Sequence, residues 1–146
     1  MTMRYIPDTW RKLVAERAFF LCEYCLVHED DTILTCPIDH VIPLKHGGLH
    51  LPENLAYSCV YCNRFKGTDI GTFLFSSHFT RFFNPRTDAW KSHFVLDGAL
   101  FLPKTAIGEA TIKILKINEV ERVIERQELI EEGRYPHVNA QRFILT

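Results

Sequence analysis

Apolar positions follow a helical spacing near the start of the chain. Behind Asp8 and Thr9, either of which can cap a helix, come Trp10, Leu13, Val14, Arg17 and Ala18. A polar turn at 28–32 leads into residues 33–42, which read as a strand interrupted or bulged near Pro37. Residues 43–52, with Gly47-Gly48, form a loop. A short apolar strand at 55–58 then precedes a helix over about 60–66 that Gly67 closes. Beyond Thr68 the chain turns aromatic, with Phe73, Phe75, Phe79, Phe82, Phe83, Trp90 and Phe94, a density that predicts core rather than a base-stacking surface. Residues 93–96 and 99–102, joined by Asp97-Gly98, predict a hairpin. Two helices should follow. Ile107, Ala110, Thr111 and Ile114 line one face of the first. Asn118 caps the second, with Glu121 completing a capping box, Val120, Val123, Ile124 and Ile130 as apolar positions and Gly133 as the stop. The expected fold class is α+β.

At 146 residues the chain fits a single domain, 1–146, with a core segment at 8–70 and a C-terminal extension at 71–146. Hydrophobic residues at 47% and charged residues at 24% are ordinary for a globular protein. The opening residues lack the apolar stretch of a secretory signal, and no run reaches membrane-spanning length. The expectation is a cytoplasmic protein without a membrane partner, whose thiols stay reduced. A net charge of −1 gives no hint of a polyanionic partner. Locally, Arg64, Lys66, Arg81, Arg86 and Lys91 form a basic stretch, while six glutamates crowd 119–132. Taken alone, such runs read as solvated faces; a basic strip could also meet phosphates.

Cysteine spacing changes the picture. Cys22-x-x-Cys25 and Cys59-x-x-Cys62 are paired knuckles, and two intervening residues let both sulfurs of a knuckle reach one tetrahedral Zn²⁺. The 33 residues between the knuckles exceed zinc-finger spacing, so a folded insert is expected. Cys36 has no neighbour at ligand spacing and reads as a small buried hydrophobe.

The insert carries Asp39-His40-Val-Ile-Pro43, Gly47-Gly48, Asn54-Leu55 and Cys62-Asn63-Arg-Phe-Lys66-Gly67. Phosphodiester hydrolysis needs a base to activate water, a metal to neutralise growing charge, and something that keeps the two in register. His40 suits the first role. Asp39 and the amide oxygen of Asn63 are hard donors that suit Mg²⁺ or Mn²⁺. One difficulty is plain: neighbours on a regular strand face opposite ways, so Asp39 and His40 share a site only if the strand bends. Lys66 lies three residues from Asn63 on one helix face, open to a phosphate contact or to a helix-terminal role. Among the other histidines, His46 and His50 lie in the glycine loop and could reach DNA or substitute as ligands, but read better as exposed loop residues.

In this order of motifs the segment from about Trp10 to Thr68 resembles the HNH endonucleases, in their ββα-metal form with flanking zinc knuckles. The resemblance implies a nuclease motif braced by a four-cysteine zinc site and the N-terminal helix, with a hairpin-plus-helices extension. It implies that His40 is the general base, that Asp39 and Asn63 hold the catalytic Mg²⁺ or Mn²⁺, and that Asn54 fixes the loop and so orients His40. Lys66 and Arg64 would contact nucleic acid, with double-stranded DNA preferred over RNA as substrate. Where many members carry histidine this chain has Asn63, a His–Asn–Asn variant. The rival reading is a catalytically silent zinc module that binds nucleic acid or protein.

Overall fold

The computed structural model describes residues 5–75 and 77–145. Helix α1 spans Asp8–Arg17. Neither Asp8 nor Thr9 caps it: the N-cap position is Pro7, whose carbonyl takes the amides of Trp10 and Arg11 at 3.0 Å each, and Asp8 sits in the first turn. The helix ends on Arg17, whose guanidinium donates to the carbonyls of Pro52 and Leu55, both at 2.6 Å.

The strand expected from residue 33 is much shorter. Strand β1 is Ile38–His40, paired antiparallel with β2, Leu55–Tyr57, so that Asp39 faces Ala56 and His40 faces Leu55. Upstream, the Thr32 hydroxyl bonds the carbonyls of Glu29 and Leu34, Ile33 is 91% exposed, and Pro37 has no amide to donate. Helix α2, Val60–Lys66, follows β2 directly. The Cys59 sulfur accepts the Cys62 amide at its start, and Gly67 ends it at φ +52°.

The sequence did not announce a hairpin that follows: β3, Gly71–Phe75, against β4, His78–Arg81. Its aromatics explain the omission. Phe82, Phe83, Trp90 and Phe94 are core as expected, but Phe73, Phe75 and Phe79 are exposed, Phe73 meeting Phe79 edge-on across the strands. After α3, Trp90–His93, the expected second hairpin is β5, Phe94–Asp97, and β6, Leu100–Pro103, turning at Gly98 with φ +60°.

Helices α4, Ala106–Ile114, α5, Val120–Glu131, and the short α6, Gln141–Ile144, complete the chain. The reading of α5 needs correction. Asn118 does not cap it; its amide instead grips both backbone groups of Phe101 at 2.8 and 3.0 Å. Val120 and Ile124 are exposed, and the residues α5 buries are Arg122 and Arg126. Arg126 is satisfied by the carbonyls of Ala99 and Ile117, each at 2.8 Å, and lies over the Phe101 ring. Three of the five basic residues of that stretch are paired on folding, Lys66 with Asp39, Arg81 with Asp88 and Arg86 with Glu23.

One core serves both halves of the chain, running from Val14 and Leu21 through the knuckle cysteines to Trp90, Phe101, Leu115 and Tyr135. At its seam the fully buried Thr111 hydroxyl accepts the Phe83 amide and donates to the Ile107 carbonyl, both at 2.8 Å. Thr111→Val keeps the shape but orphans the Phe83 amide. It should lower stability by about 1–3 kcal/mol, read from denaturant unfolding.

Candidate metal centre and active site

The four knuckle cysteines meet inside the protein. Their sulfurs all lie within 4.8 Å of one another and every one of the four residues is buried. Cys25 and Cys59 sulfurs are 3.7 Å apart, close to the ~3.8 Å edge of a tetrahedron with 2.3 Å Zn–S bonds. The cluster fits a zinc site. Cys36, also buried, stands outside it.

Four thiolates and one zinc ion leave a net charge of about −2, and the fold answers it. Arg122 of α5 donates to the Cys62 sulfur at 3.1 Å and lies 3.8 Å from that of Cys59. Against the penalty of burial, Cys62, Cys25 and Cys59 raise the guanidinium's pKa above its usual value. The knuckle backbone is tied down as well. Tyr135 donates to the Cys25 carbonyl at 2.8 Å, Trp90 to the Tyr24 carbonyl at 3.1 Å, and the Glu23 carboxylate takes both the Tyr57 amide and Arg86. A cavity of about 320 Å³, lined by Cys25, Cys59, Tyr61, Arg122 and Leu129 among others, lies alongside.

Strands β1 and β2 lie between the knuckles and α2 leaves from the second, so that the three form a ββα unit. Strand β1 does not bend, so Asp39 and His40 point apart. The Asp39 side chain turns inward, where Lys66 Nζ of α2 lies 3.0 and 3.3 Å from its two oxygens and the Tyr24 hydroxyl donates at 3.2 Å. Burial pushes the Asp39 carboxyl above its ordinary range, opposed by Lys66 and by the Tyr24 hydrogen bond. Lys66 is 1% exposed and also donates to the His40 carbonyl at 3.1 Å. Its ammonium is therefore inside, bound to a carboxylate, not at the surface where the phosphate contact was expected. Arg64 is exposed on the same helix. Asn63, one turn before Lys66, is half-buried, and among the described residues its side-chain amide has no hydrogen-bond partner.

On the other face, His40 Nε2 lies 3.0 Å from Nδ1 of His50, whose Nε2 donates to the Tyr5 carbonyl at 2.8 Å. Burial, then the nearby His50 and Lys66, lower the His40 pKa below the ordinary imidazole value. The loop that brings His50 there is locked by Asn54. Its oxygen accepts the Ile42 amide at 3.0 Å, and its nitrogen donates to the carbonyls of Ile42 and Leu49 at 2.9 and 2.8 Å. Gly48 lets this happen, because a Cβ there would stand 1.7 Å from the Ile42 carbonyl oxygen.

A hairpin feeding one helix, stapled at both ends by cysteine pairs, defines an α+β protein with a ββα-metal unit. Residues 22–69 match the family model described as HNH endonuclease, and the four cysteines, Asp39, His40, Asn54 and Asn63 all lie inside that span. This part of the chain, about a third of its length, is similar to the HNH nucleases, a family that acts on nucleic acids. No curated protein and no solved structure matches the chain. Among the described residues, no helix is long and apolar enough to cross a membrane.

The spacing-based reading gave no role to Tyr24 or Arg122 and ranked His50 as an exposed loop residue first. His50 had a weak signal, being a histidine in the glycine loop behind His40. Arg122 had none, because sixty positions separate it from Cys62.

Purified protein should carry about one zinc per chain, and Cys22→Ser should lose the metal and unfold. Arg122→Met should destabilise the fold by roughly 3 kcal/mol and speed zinc transfer to a chromogenic chelator. Transfer at the parental rate would show that the guanidinium does not stabilise the site.

Proposed function

We propose that this protein is a metal-dependent endonuclease that hydrolyses DNA phosphodiester bonds, with His40 as the general base and Asp39 and Asn63 holding a divalent metal. The observation that carries this reading is the state of His40 within the HNH-like segment. Burial, His50 and Lys66 shift the ring toward its unprotonated form, and among the described residues nothing bonds its Nδ1. A base needs both properties.

The donor set is compatible with Mg²⁺ or Mn²⁺: one carboxylate, and one amide without a partner among the described residues. Such an ion, when bound, neutralises charge on the phosphate and the departing oxygen. The residues of the chain do the rest. Asn54 and Gly48 shape the loop behind His40, the imidazole takes the proton of the attacking water, and the zinc knuckles hold hairpin and helix in register. Arg64, exposed on α2, would meet the backbone of double-stranded DNA in preference to RNA.

One observation favours the silent binding module instead: the Asp39 carboxylate already carries a cation, Lys66. A divalent ion arriving there has to compete with the ammonium for at least one oxygen. We place the protein in the cytoplasm, because cysteines clustered at zinc-ligand distance fit a reducing compartment.

Cleavage of supercoiled plasmid in Mg²⁺, Mn²⁺ or EDTA tests the proposal. His40→Ala should keep the fold and DNA affinity and lose at least ~10²-fold in rate. Asn63→Ala should nearly silence cleavage; full Mg²⁺-dependent activity in that variant would remove Asn63 from the metal site. Lys66→Met leaves Asp39 as an uncompensated buried carboxylate and should destabilise by about 3–5 kcal/mol. Added Mn²⁺ should restore more thermal stability to that variant than to the parent, since a bound cation stabilises the folded state. No such difference would mean that Asp39 is not a ligand.

A further inference from the structure

His50 is half-buried and held on three sides. Its Nε2 faces the Tyr5 carbonyl at 2.8 Å, its Nδ1 faces His40 Nε2 at 3.0 Å, and its ring lies 5.3 Å from that of Trp10 at the start of α1. The neighbouring residue, Leu49, is fixed through its carbonyl by Asn54. A carbonyl oxygen can only accept, so the proton on this edge of His50 belongs to Nε2. Neutral imidazole carries one proton. His50 Nδ1 is then a lone pair, and the short contact to His40 is a hydrogen bond only if His40 Nε2 bears a proton. The basic atom of His40 must in that case be Nδ1, the nitrogen that no described residue bonds.

We propose that His50 is a positioning residue: anchored by the Tyr5 carbonyl, it selects the Nε2–H tautomer of His40 and thereby makes Nδ1 the nitrogen that accepts the proton. This rests on the reading of His40 as the base. It adds a device by which the loop decides which of two chemically different ring atoms does the work. Asn54, Gly48 and the N-terminal segment all contribute to it, Asn54 through Leu49 and the N-terminal segment through Tyr5 and Trp10. As in other sites where an imidazole is oriented by a fixed partner, loss of that partner leaves the ring present but misassigned.

Two measurements on the full-length, zinc-loaded protein decide it. Proton–nitrogen correlation NMR of the histidine rings should show His40 protonated at Nε2 and bare at Nδ1. In His50→Leu the same ring should become a mixture of tautomers. Plasmid cleavage in Mg²⁺ by His50→Leu should fall about ten- to a hundred-fold in kcat, with KM little changed. His50→Asn places an accepting oxygen near the former Nδ1 and should recover both the tautomer and most of the rate, which a purely structural role for the ring would not give. A parental His40 protonated at Nδ1 overturns the proposal. So does His50→Leu cutting at the parental rate while His40→Ala is inactive. If His40→Ala itself cuts normally, the base assignment has failed and the positioning role falls with it, whatever tautomer the spectra show.

Discussion

Four buried sulfurs held within 4.8 Å of one another are the constraint from which the rest of the architecture follows. Deprotonated, they repel; left as thiols, they leave a soft, poorly packed hole. A tetrahedral divalent ion resolves the conflict, and Arg122 takes up part of the charge that remains. Once the two knuckles are joined, the segment between them has little freedom. Strand β2 enters one knuckle, helix α2 leaves from it, and the first knuckle pairs with the end of β2 through Glu23 and Tyr57. Hairpin and helix are thereby set at a fixed angle.

Within that frame the ββα unit separates two kinds of chemistry by one peptide bond. Because β1 is regular, Asp39 faces an enclosed, charge-paired compartment with Lys66 and Tyr24, while His40 faces the loop and the N-terminal segment. The alternation that looked like an obstacle in the sequence keeps an ammonium close to a carboxylate while the His40 ring meets His50. An inward carboxylate and an outward imidazole on adjacent residues can address opposite sides of one scissile group only if α2 supplies the remaining contacts. Lys66 and Asn63, a turn apart, are the α2 residues nearest that task.

Much of this was legible in the chain. The knuckles, the Asp39-His40 pair, the glycine loop, Asn54 and Asn63 are local patterns with chemical meaning, and α2 ended at Gly67 as its residues indicate. The failures share a cause. Hydrophobic periodicity finds apolar faces, but α5 is seated by two arginines whose charges are satisfied by backbone carbonyls and sulfurs. On a helical wheel those positions look like solvent, and Val120 and Ile124 look like core. Phe73, Phe75 and Phe79 misled in the opposite sense: aromatic, yet on a hairpin whose outer surface they form. Lys66 reads as an exposed helix-end lysine until its partner, twenty-seven positions away, is known.

The hydrogen bond from Tyr135 to the carbonyl of Cys25 spans 110 positions, and that from Arg122 to Cys62 spans 60. Contacts of such separation close late, because the loop between them must first be gathered. A ribosome making this chain delivers the whole HNH segment before either brace has emerged. The segment's metal-binding corner is then sealed only once Tyr135 has been made and has left the exit tunnel. Closure of that corner therefore trails synthesis of the segment it braces, and a chain cut short before Arg122 lacks both latches on the knuckles.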